Sequence, residues 1–334
     1  MPFIDKILNY KSLSIVGLEK NTGKTECLNY VLGRLPVSMK VAVTSIGIDG
    51  EQTDQVTGTE KPEIQLRKGM LFGTAEKHYK MRRLVSEVYD VSDDYTSLGR
   101  IVTAKVILPG KALISGPSST TILDRWMNRT RTLNPDLIIV DGAISRLSSA
   151  SPVVSESLIL ATGAALSANI PTLVAKTAFT VGLINLQECD RTVAEKLSGI
   201  ENGIWVLDRD LNLRPMGAGT ALKLAAFSEK EVEGAEYVFV SGALTDSFLK
   251  RSMAMCSKFT LLVRDFTKFF VTPAELAAYR RAGGHVEVLN RSNLVAVTVN
   301  PVSPAGYVLD SGKLRSELER KLGFEAYDLR HLTD

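Results

Sequence analysis

Short apolar runs alternate along this chain with longer segments in which apolar positions recur at helical spacing. The first run, Leu13 to Val16, leads into a turn ending in Gly23-Lys24-Thr25, and Glu26 to Leu35 follows with Leu28, Val31, Leu32 and Leu35 on one helical face. Lys40 to Ile46 reads as a second buried strand that runs into Gly47-Ile48-Asp49-Gly50-Glu51. Between residues 98 and 115 an apolar stretch is interrupted by Pro109-Gly110, which predicts a hairpin there. A helix is expected from Thr120 to Leu133, capped near Ser118-Ser119 and carrying Trp126. Leu137 to Val140 is wholly apolar, without alternation, as a strand covered on both faces requires. Ser157 to Ala161 predicts another strand, and Pro171 to Leu186 a helix with its proline in the first turn.

The same rhythm resumes in the last third. Tyr237 to Val240, Thr260 to Val263, Val286 to Leu289 and Leu294 to Val299 read as strands. Helices are expected at Leu244 to Met255 and at Pro273 to Ala282, the second stopped by Gly283-Gly284. Residues 191–231, rich in charge and turns, read as a connecting region between a domain at 1–190 and a C-terminal α/β domain at 232–334. A length of 334 residues suits one large or two modest domains.

Composition narrows the classes. An apolar fraction of 45% and a charged fraction of 23% are those of a soluble globular protein. The net charge of +3 is too balanced to point to nucleic acid or an anionic membrane. No apolar run reaches the length of a membrane span, and the N-terminal residues do not read as a secretory signal. Cys27, Cys189 and Cys256 are far apart and odd in number, which predicts reduced thiols in a cytoplasm. With His78, His285 and His331 they offer no metal-ligand spacing.

The turn after the first strand carries the chemistry. A strand, a phosphate-sized loop, Gly-Lys-Thr and a helix form the pattern of a nucleoside-triphosphate site, because loop N–H groups and the positive end of a helix dipole attract phosphate oxygens. Lys24 adds a mobile cation for the β and γ oxygens, and the Thr25 hydroxyl can ligate Mg²⁺. Lys20, Asn21, Thr22 and Glu26 border the same loop. Five residues separate Gly17 from Gly23, one more than in the common pattern, and Glu19 stands where a deviant loop has its second lysine. Together these features predict a P-loop NTPase-like, doubly wound, mostly parallel α/β sheet with a C-terminal α/β portion.

Carboxylates complete the candidate site. Asp141 ends the strand Leu137 to Val140, where a metal-supporting acid is expected beside Thr25. Asp49 follows the second strand at the sheet edge where ligands collect, with Glu51 and Asp54 as weaker candidates. The plain alternative for each is a turn acid beside glycine. Asn300, at the end of the last apolar run, is a candidate reader of the nucleotide base or else a turn residue. Ser115 to Ser119 and Thr162 to Ala164 are loops expected near the same edge. Arg82-Arg83 and Arg125, Arg129 and Arg131 read as solvated faces, and Trp126 as a core anchor. No guanine-reading Asn/Thr-Lys-x-Asp motif is evident, so ATP and GTP both stay open.

Two resemblances follow from these residues. The Gly17 to Gly23 spacing resembles dethiobiotin synthetase and its P-loop relatives. The runs Gly17 to Thr25, Val43 to Glu51, Ile139 to Ala143 and Val299 to Pro304 resemble the B subunit of the lysine 5,6-aminomutase reactivase. That resemblance implies a nucleotide-binding subunit that works with a companion reactivase ATPase subunit. Its client would be an adenosylcobalamin-dependent lysine or ornithine aminomutase, restored by exchange of damaged cobalamin; a homodimer is compatible with this role. Lys24, Asp49 and Asp141 would then act on the nucleotide and its Mg²⁺, with Thr25 as a further metal ligand. The dethiobiotin synthetase resemblance implies a synthetase that activates a small carboxylate with ATP. A nucleotide-binding regulatory module with vestigial hydrolysis is the third reading.

Overall fold

In the computed structural model, which describes residues 2–47, 63–143, 151–152, 154–217 and 228–332, the first apolar run is a strand buried along its whole length. A short helix, α1 (Ile4–Ile7), precedes this strand, β1 (Ser12–Gly17). Helix α2 (Lys24–Arg34) buries Cys27, Leu28, Val31 and Leu32 against the sheet. It ends where Leu35 turns extended ahead of Pro36, whose ring disfavours helical backbone in the preceding residue. Then come β2 (Val41–Ser45), β3 (Ile64–Leu66), β4 (Leu71–Ala75), the short α3 (Glu76–Lys80) and a long ribbon of β5 (Arg83–Thr96) and β6 (Gly99–Ala112). Helix α4 (Thr120–Arg131), β7 (Leu137–Ala143), β8 (Ser157–Gly163) and α5 (Ile170–Ile184) follow.

The next stretch of chain holds α6 (Arg191–Leu197), β9 (Ile204–Leu207), β10 (Leu213–Pro215), β11 (Tyr237–Val240), β12 (Leu244–Thr245) and α7 (Asp246–Met253). It goes on through β13 (Thr260–Val263), β14 (Phe269–Phe270), α8 (Pro273–Arg281) and β15 (His285–Val288). The last elements are β16 (Asn293–Asn300), α9 (Ser311–Leu322) and β17 (Ala326–Tyr327).

Two units result. Met1–Ala178 with Asn293–Asp334 form the first, and Phe179–Ser292 the second. The first unit is a mixed α/β structure on one large sheet of order β17-β16-β8-β1-β7-β2-β4-β6-β3, with β5 on the other side of β6. From β17 to β4 every neighbouring pair is parallel; β6 is antiparallel to β4, β3 and β5. Alternate residues separate two layers of core. Val41, Val43 and Ile139 pack with the α2 side chains, whereas Ala42, Ile138 and Val140 pack with Leu123, Trp126 and Met127 of α4. That is why the central strands read as unbroken apolar runs. β1 lies between β7 and β8, so the chain leaves it toward β2 and β4 on one flank and later toward β16 and β17 on the other. A crevice at the carboxyl ends of the strands follows from that reversal.

Trp126 is the core anchor of the α4 layer. Its Nε1 donates to Thr103 Oγ1 at 2.9 Å, and a Cβ on Gly73 would come within 2.5 Å of its ring. Arg125 and Arg129 reach across to Asp94 and Asp90 at 2.7 and 3.5 Å, with side chains about half exposed. Exposed pairs of that kind contribute about 0–1 kcal/mol each. Burial of the tryptophan, at about 3–5 kcal/mol on truncation, outweighs them.

The second unit has its own sheet, β10-β9-β11-β13-β15, in which β11, β13 and β15 are parallel and β9 and β10 antiparallel. Leu207, Phe239, Leu262 and Leu289 pack with Val193 and Leu197 of α6 at its centre.

Three expectations change. The hairpin does not turn at Pro109-Gly110, which lies inside β6; it turns at Ser97-Leu98, where Gly99 has φ 96° and the Thr96 hydroxyl bonds the Leu98 N–H and Gly99 carbonyl. Proline is tolerated because the β5–β6 register shifts between Arg83 and Val85, so no ladder bond needs its missing N–H. Residues 191–231 are not a plain connection: α6, β9 and β10 belong to the second unit. Nor do residues 232–334 form one C-terminal domain, because at Asn293 the chain returns to the first sheet and β16 pairs with β8.

Candidate functional site

The turn from Gly17 to Thr25 joins β1 to α2 at the carboxyl edge of the first sheet. Leu18 N–H donates to the Ala161 carbonyl of β8 at 2.9 Å, which ties the start of the turn to the neighbouring strand. Thr22 is buried, and its hydroxyl donates to the Glu19 carbonyl at 2.9 Å, closing a tight turn within the five residues between Gly17 and Gly23. Asn21 has φ 61°, a left-handed conformation that asparagine tolerates. Gly23, with φ 90°, is the N-cap of α2.

Gly17 explains the path of Lys24. A Cβ at residue 17 would lie 2.4 Å from Thr22 Oγ1 and 2.8 and 2.9 Å from Lys24 Cγ and Cδ. The lysine chain therefore lies back across the glycine, over the mouth of the turn. Among the described residues, no hydrogen bond or ion pair uses Lys24 Nζ or the Thr25 hydroxyl.

Asp141 stands on β7 in register with Ile15 of β1 and Ser45 of β2, and it is partly buried. Its carbonyl accepts from Ile46 N–H at 2.9 Å. Its charge reaches α2: the Cys27 thiol is pushed up to about 12, first by burial and further by Asp141 and Glu26, against a hydrogen bond with Thr298. On the far side of β2, Gly47 N–H donates to Pro117 at 2.8 Å and Gly116 N–H to Ser45 Oγ at 2.9 Å. A Cβ on Gly116 would be 1.7 Å from the Ser45 carbonyl, so only glycine permits that approach. Ser115 to Ser119 thus sits at the expected edge.

Asn300 ends β16 beside the turn. Its Nδ2 donates to the Asn21 carbonyl at 3.2 Å, and its Oδ1 accepts from Val302 N–H at 3.1 Å. The Asn300 carbonyl accepts from Ala164 at 2.8 Å, over Gly163. A small cleft opens here, lined by Thr22, Gly23, Glu26, Asn300 and Asp328 to Arg330. Arg330 Nε lies 2.8 Å from Glu26 Oε1, and that carboxylate raises the guanidinium's affinity for its proton.

The structure thus gathers Gly17, Lys20, Asn21, Thr22, Gly23, Lys24, Thr25, Glu26, Asp141 and Asn300 at one sheet edge. Asp49, with Glu51 and Asp54, lies outside the described residues. Arg330 and Asp328 were not foreseen; the signal for them is the short apolar pair Ala326-Tyr327, a strand whose carboxyl end is at the same edge. Among the described residues no group of three or more His, Cys, Asp or Glu side chains could hold a metal alone, and no helix is long and apolar enough to cross a membrane. No protein-family model, curated protein or solved structure matches the chain.

Proposed function

We propose that this is a P-loop NTPase-like protein that binds ATP or GTP with Mg²⁺ at the Gly17–Thr25 turn. One observation carries the reading: Lys24 lies back across Gly17 at the N-terminus of α2, with Asp141 on the strand adjoining β1. The residues suit a polyphosphate. The turn supplies main-chain N–H groups and a helix N-terminus, and Lys24 supplies a cation with no ion-pair partner among the described residues. Thr25 and Asp141, with Asp49, are the oxygen donors expected to hold Mg²⁺, a hard ion that keeps several waters and takes only a few protein oxygens. Such a site needs no cluster of three protein ligands. Lys20, Asn21, Thr22 and Gly23 would border the phosphates; Glu26 and Asn300 would border the cleft beside them.

A bound Mg-nucleotide supplies a phosphoanhydride whose hydrolysis can bias two conformations of the loops around it. The resemblance of residues 17–25, 43–51, 139–143 and 299–304 then supports a reactivase subunit. It would work with a companion ATPase subunit in a cytoplasm and drive cobalamin exchange on a lysine or ornithine aminomutase. Differential affinity for that partner in the two nucleotide states need amount to only a few kcal/mol.

The test is nucleotide hydrolysis by the purified protein, alone and with a cobalamin-inactivated lysine aminomutase plus the companion subunit, in wild type and Lys24→Ala. Turnover and recovered mutase activity that both depend on Lys24 are expected. Turnover indifferent to the mutase removes the reactivase reading while leaving nucleotide binding intact.

A second reading is favoured by the five residues between Gly17 and Gly23, a spacing that resembles dethiobiotin synthetase. ADP release stimulated by a small carboxylate, without any protein partner, would select it.

A further inference from the structure

The second unit has a pocket of its own, at the amino ends of β13 and β15 and just beyond the last turns of α7 and α8. Met253, Met255 and Phe259 give it apolar walls, and Lys258, Tyr279 and the pair Gly283-Gly284 complete the lining. It encloses about 30 Å³ and opens to solvent. Tyr279 is only 4% exposed, yet nothing among the described residues bonds its hydroxyl. A buried tyrosine ordinarily finds a partner for its O–H. Burial alone pushes this phenol up, so it stays a neutral donor.

The two glycines bring this phenol and an ammonium to one place. A Cβ on Gly284 would lie 2.4 Å from Tyr279 Cζ, the ring carbon that carries the hydroxyl, so the ring depends on glycine there. A Cβ on the preceding Gly283 would lie 4.0 Å from Lys258 Nζ. Lys258 donates once, to the Ala282 carbonyl at 3.3 Å, and has no ion-pair partner among the described residues. An ammonium has three donors, so two are left over. We propose that this pocket binds a small aliphatic carboxylate, with Tyr279 and Lys258 donating to its head group and its tail lying along Met253 and Met255.

One ammonium and one hydroxyl suit a monoanion. A phosphate needs more donors than the pocket has, because the N–H groups of Ala282, Gly283 and Gly284 are turned to the carbonyls of Ala278, Arg280 and Tyr279. Glu229 does not neutralise the lysine: its oxygens accept from the Cys256 and Ser257 N–H groups at 3.0 and 2.7 Å. The enclosed room is that of about two waters, enough for a carboxyl group and too little for a ring. The tail therefore runs toward the open mouth, where flexible thioethers adapt to it. The site lies wholly in the second unit and does not rest on the nucleotide reading.

Methionine-methyl NMR of the full chain tests this, with butanoate as the probe. Of the eight methionines, Met253 and Met255 (each assigned by its Met→Leu variant) should shift saturably with a millimolar Kd. Butan-1-ol, which has the tail without the charge, should bind roughly tenfold more weakly. Tyr279→Phe keeps the ring and Lys258→Gln most of the stem, so both should fold, and each should weaken butanoate roughly tenfold. Lys24→Ala should leave the butanoate Kd unchanged, which separates this pocket from a carboxylate held beside the nucleotide. No saturable shift at tens of millimolar, equal binding of the alcohol, or a Kd indifferent to Tyr279→Phe and Lys258→Gln would overturn the proposal. A Kd that moves with Lys24→Ala would overturn it equally.

Discussion

The guanidinium of Arg330 lies 2.8 Å from the carboxylate of Glu26, joining residues 304 positions apart. Glu26 stands in the first turn of α2, at the helix end where the proposed phosphates would bind. A carboxylate there suits the helix dipole but repels a polyphosphate; the arginine offsets that repulsion without occupying the turn itself. The C-terminal segment thereby becomes part of the candidate site.

Arg330→Ala should cost little stability. Both side chains are substantially exposed, and such pairs contribute about 0–1 kcal/mol. Nucleotide affinity should fall by about 1 kcal/mol, roughly fivefold in Kd, because Glu26 is left uncompensated beside the phosphates. Titration calorimetry with ATP and GTP would measure it, and Glu26→Gln added to Arg330→Ala should recover most of the loss. Equal affinities in wild type and Arg330→Ala would remove this role.

Gly17→Ala probes the path of Lys24. The added methyl would meet Thr22 Oγ1 at 2.4 Å, and that hydroxyl is buried and bonded to the Glu19 carbonyl. Overpacking of this kind costs about 1–3 kcal/mol. A lowered urea midpoint with loss of nucleotide binding is expected. Lys24→Ala should lose binding with no fall in the midpoint, which separates the two effects.

Much of this architecture is legible in the residues, and the reasons for the rest are physical. Tyr237–Val240 and Thr260–Val263 stand where their apolar runs place them, because parallel strands covered on both faces leave little room for other readings. The helix expected from Leu244 begins at Asp246 because the Thr245 hydroxyl caps it and Leu244 pairs with Phe269. No such pattern marks β5, since its outward residues mix valine, tyrosine, aspartate and serine across several bulges, which erases the two-residue period. The return of β16 beside β8 is a long-range pairing with no local mark. At the site, Lys24, Thr25 and Asp141 announce themselves by type and spacing, whereas Arg330 acquires its place only through that return.

Gly73 and Trp126 should prove interdependent. Gly73→Ala drives a methyl to 2.5 Å from the indole, and Trp126→Ala leaves a cavity against Leu71 and Ile101 at a cost of about 3–5 kcal/mol. The two changes together should cost less than the sum of the singles, since the space vacated by the ring admits the methyl. Urea unfolding of the four proteins gives the coupling. Additive costs would mean that the close approach is relieved elsewhere.

Alkaline pH should weaken the fold through its buried thiols. Cys27, wholly buried in α2, holds its proton to about 12, up from an ordinary 9.0, chiefly because burial penalises the thiolate and secondarily because Asp141 and Glu26 repel it. Cys189 is pushed the same way, to about 11. Above about pH 9 the unfolded chain releases these protons while the folded chain keeps them, so the unfolded state binds fewer protons and stability falls as pH rises. The stabilisation from a neutral Cys27 is therefore fully present below pH 9 and is lost progressively as pH climbs toward 12. The slope for one such group is at most about 1.4 kcal/mol per pH unit. Urea midpoints measured upward from pH 8 should decline, and Cys27→Ala, although less stable throughout, should decline less steeply. Iodoacetamide at mild pH should label the exposed Cys256 and spare Cys27. Parallel midpoint curves for wild type and Cys27→Ala would show that the burial of this thiol does not govern the alkaline limit.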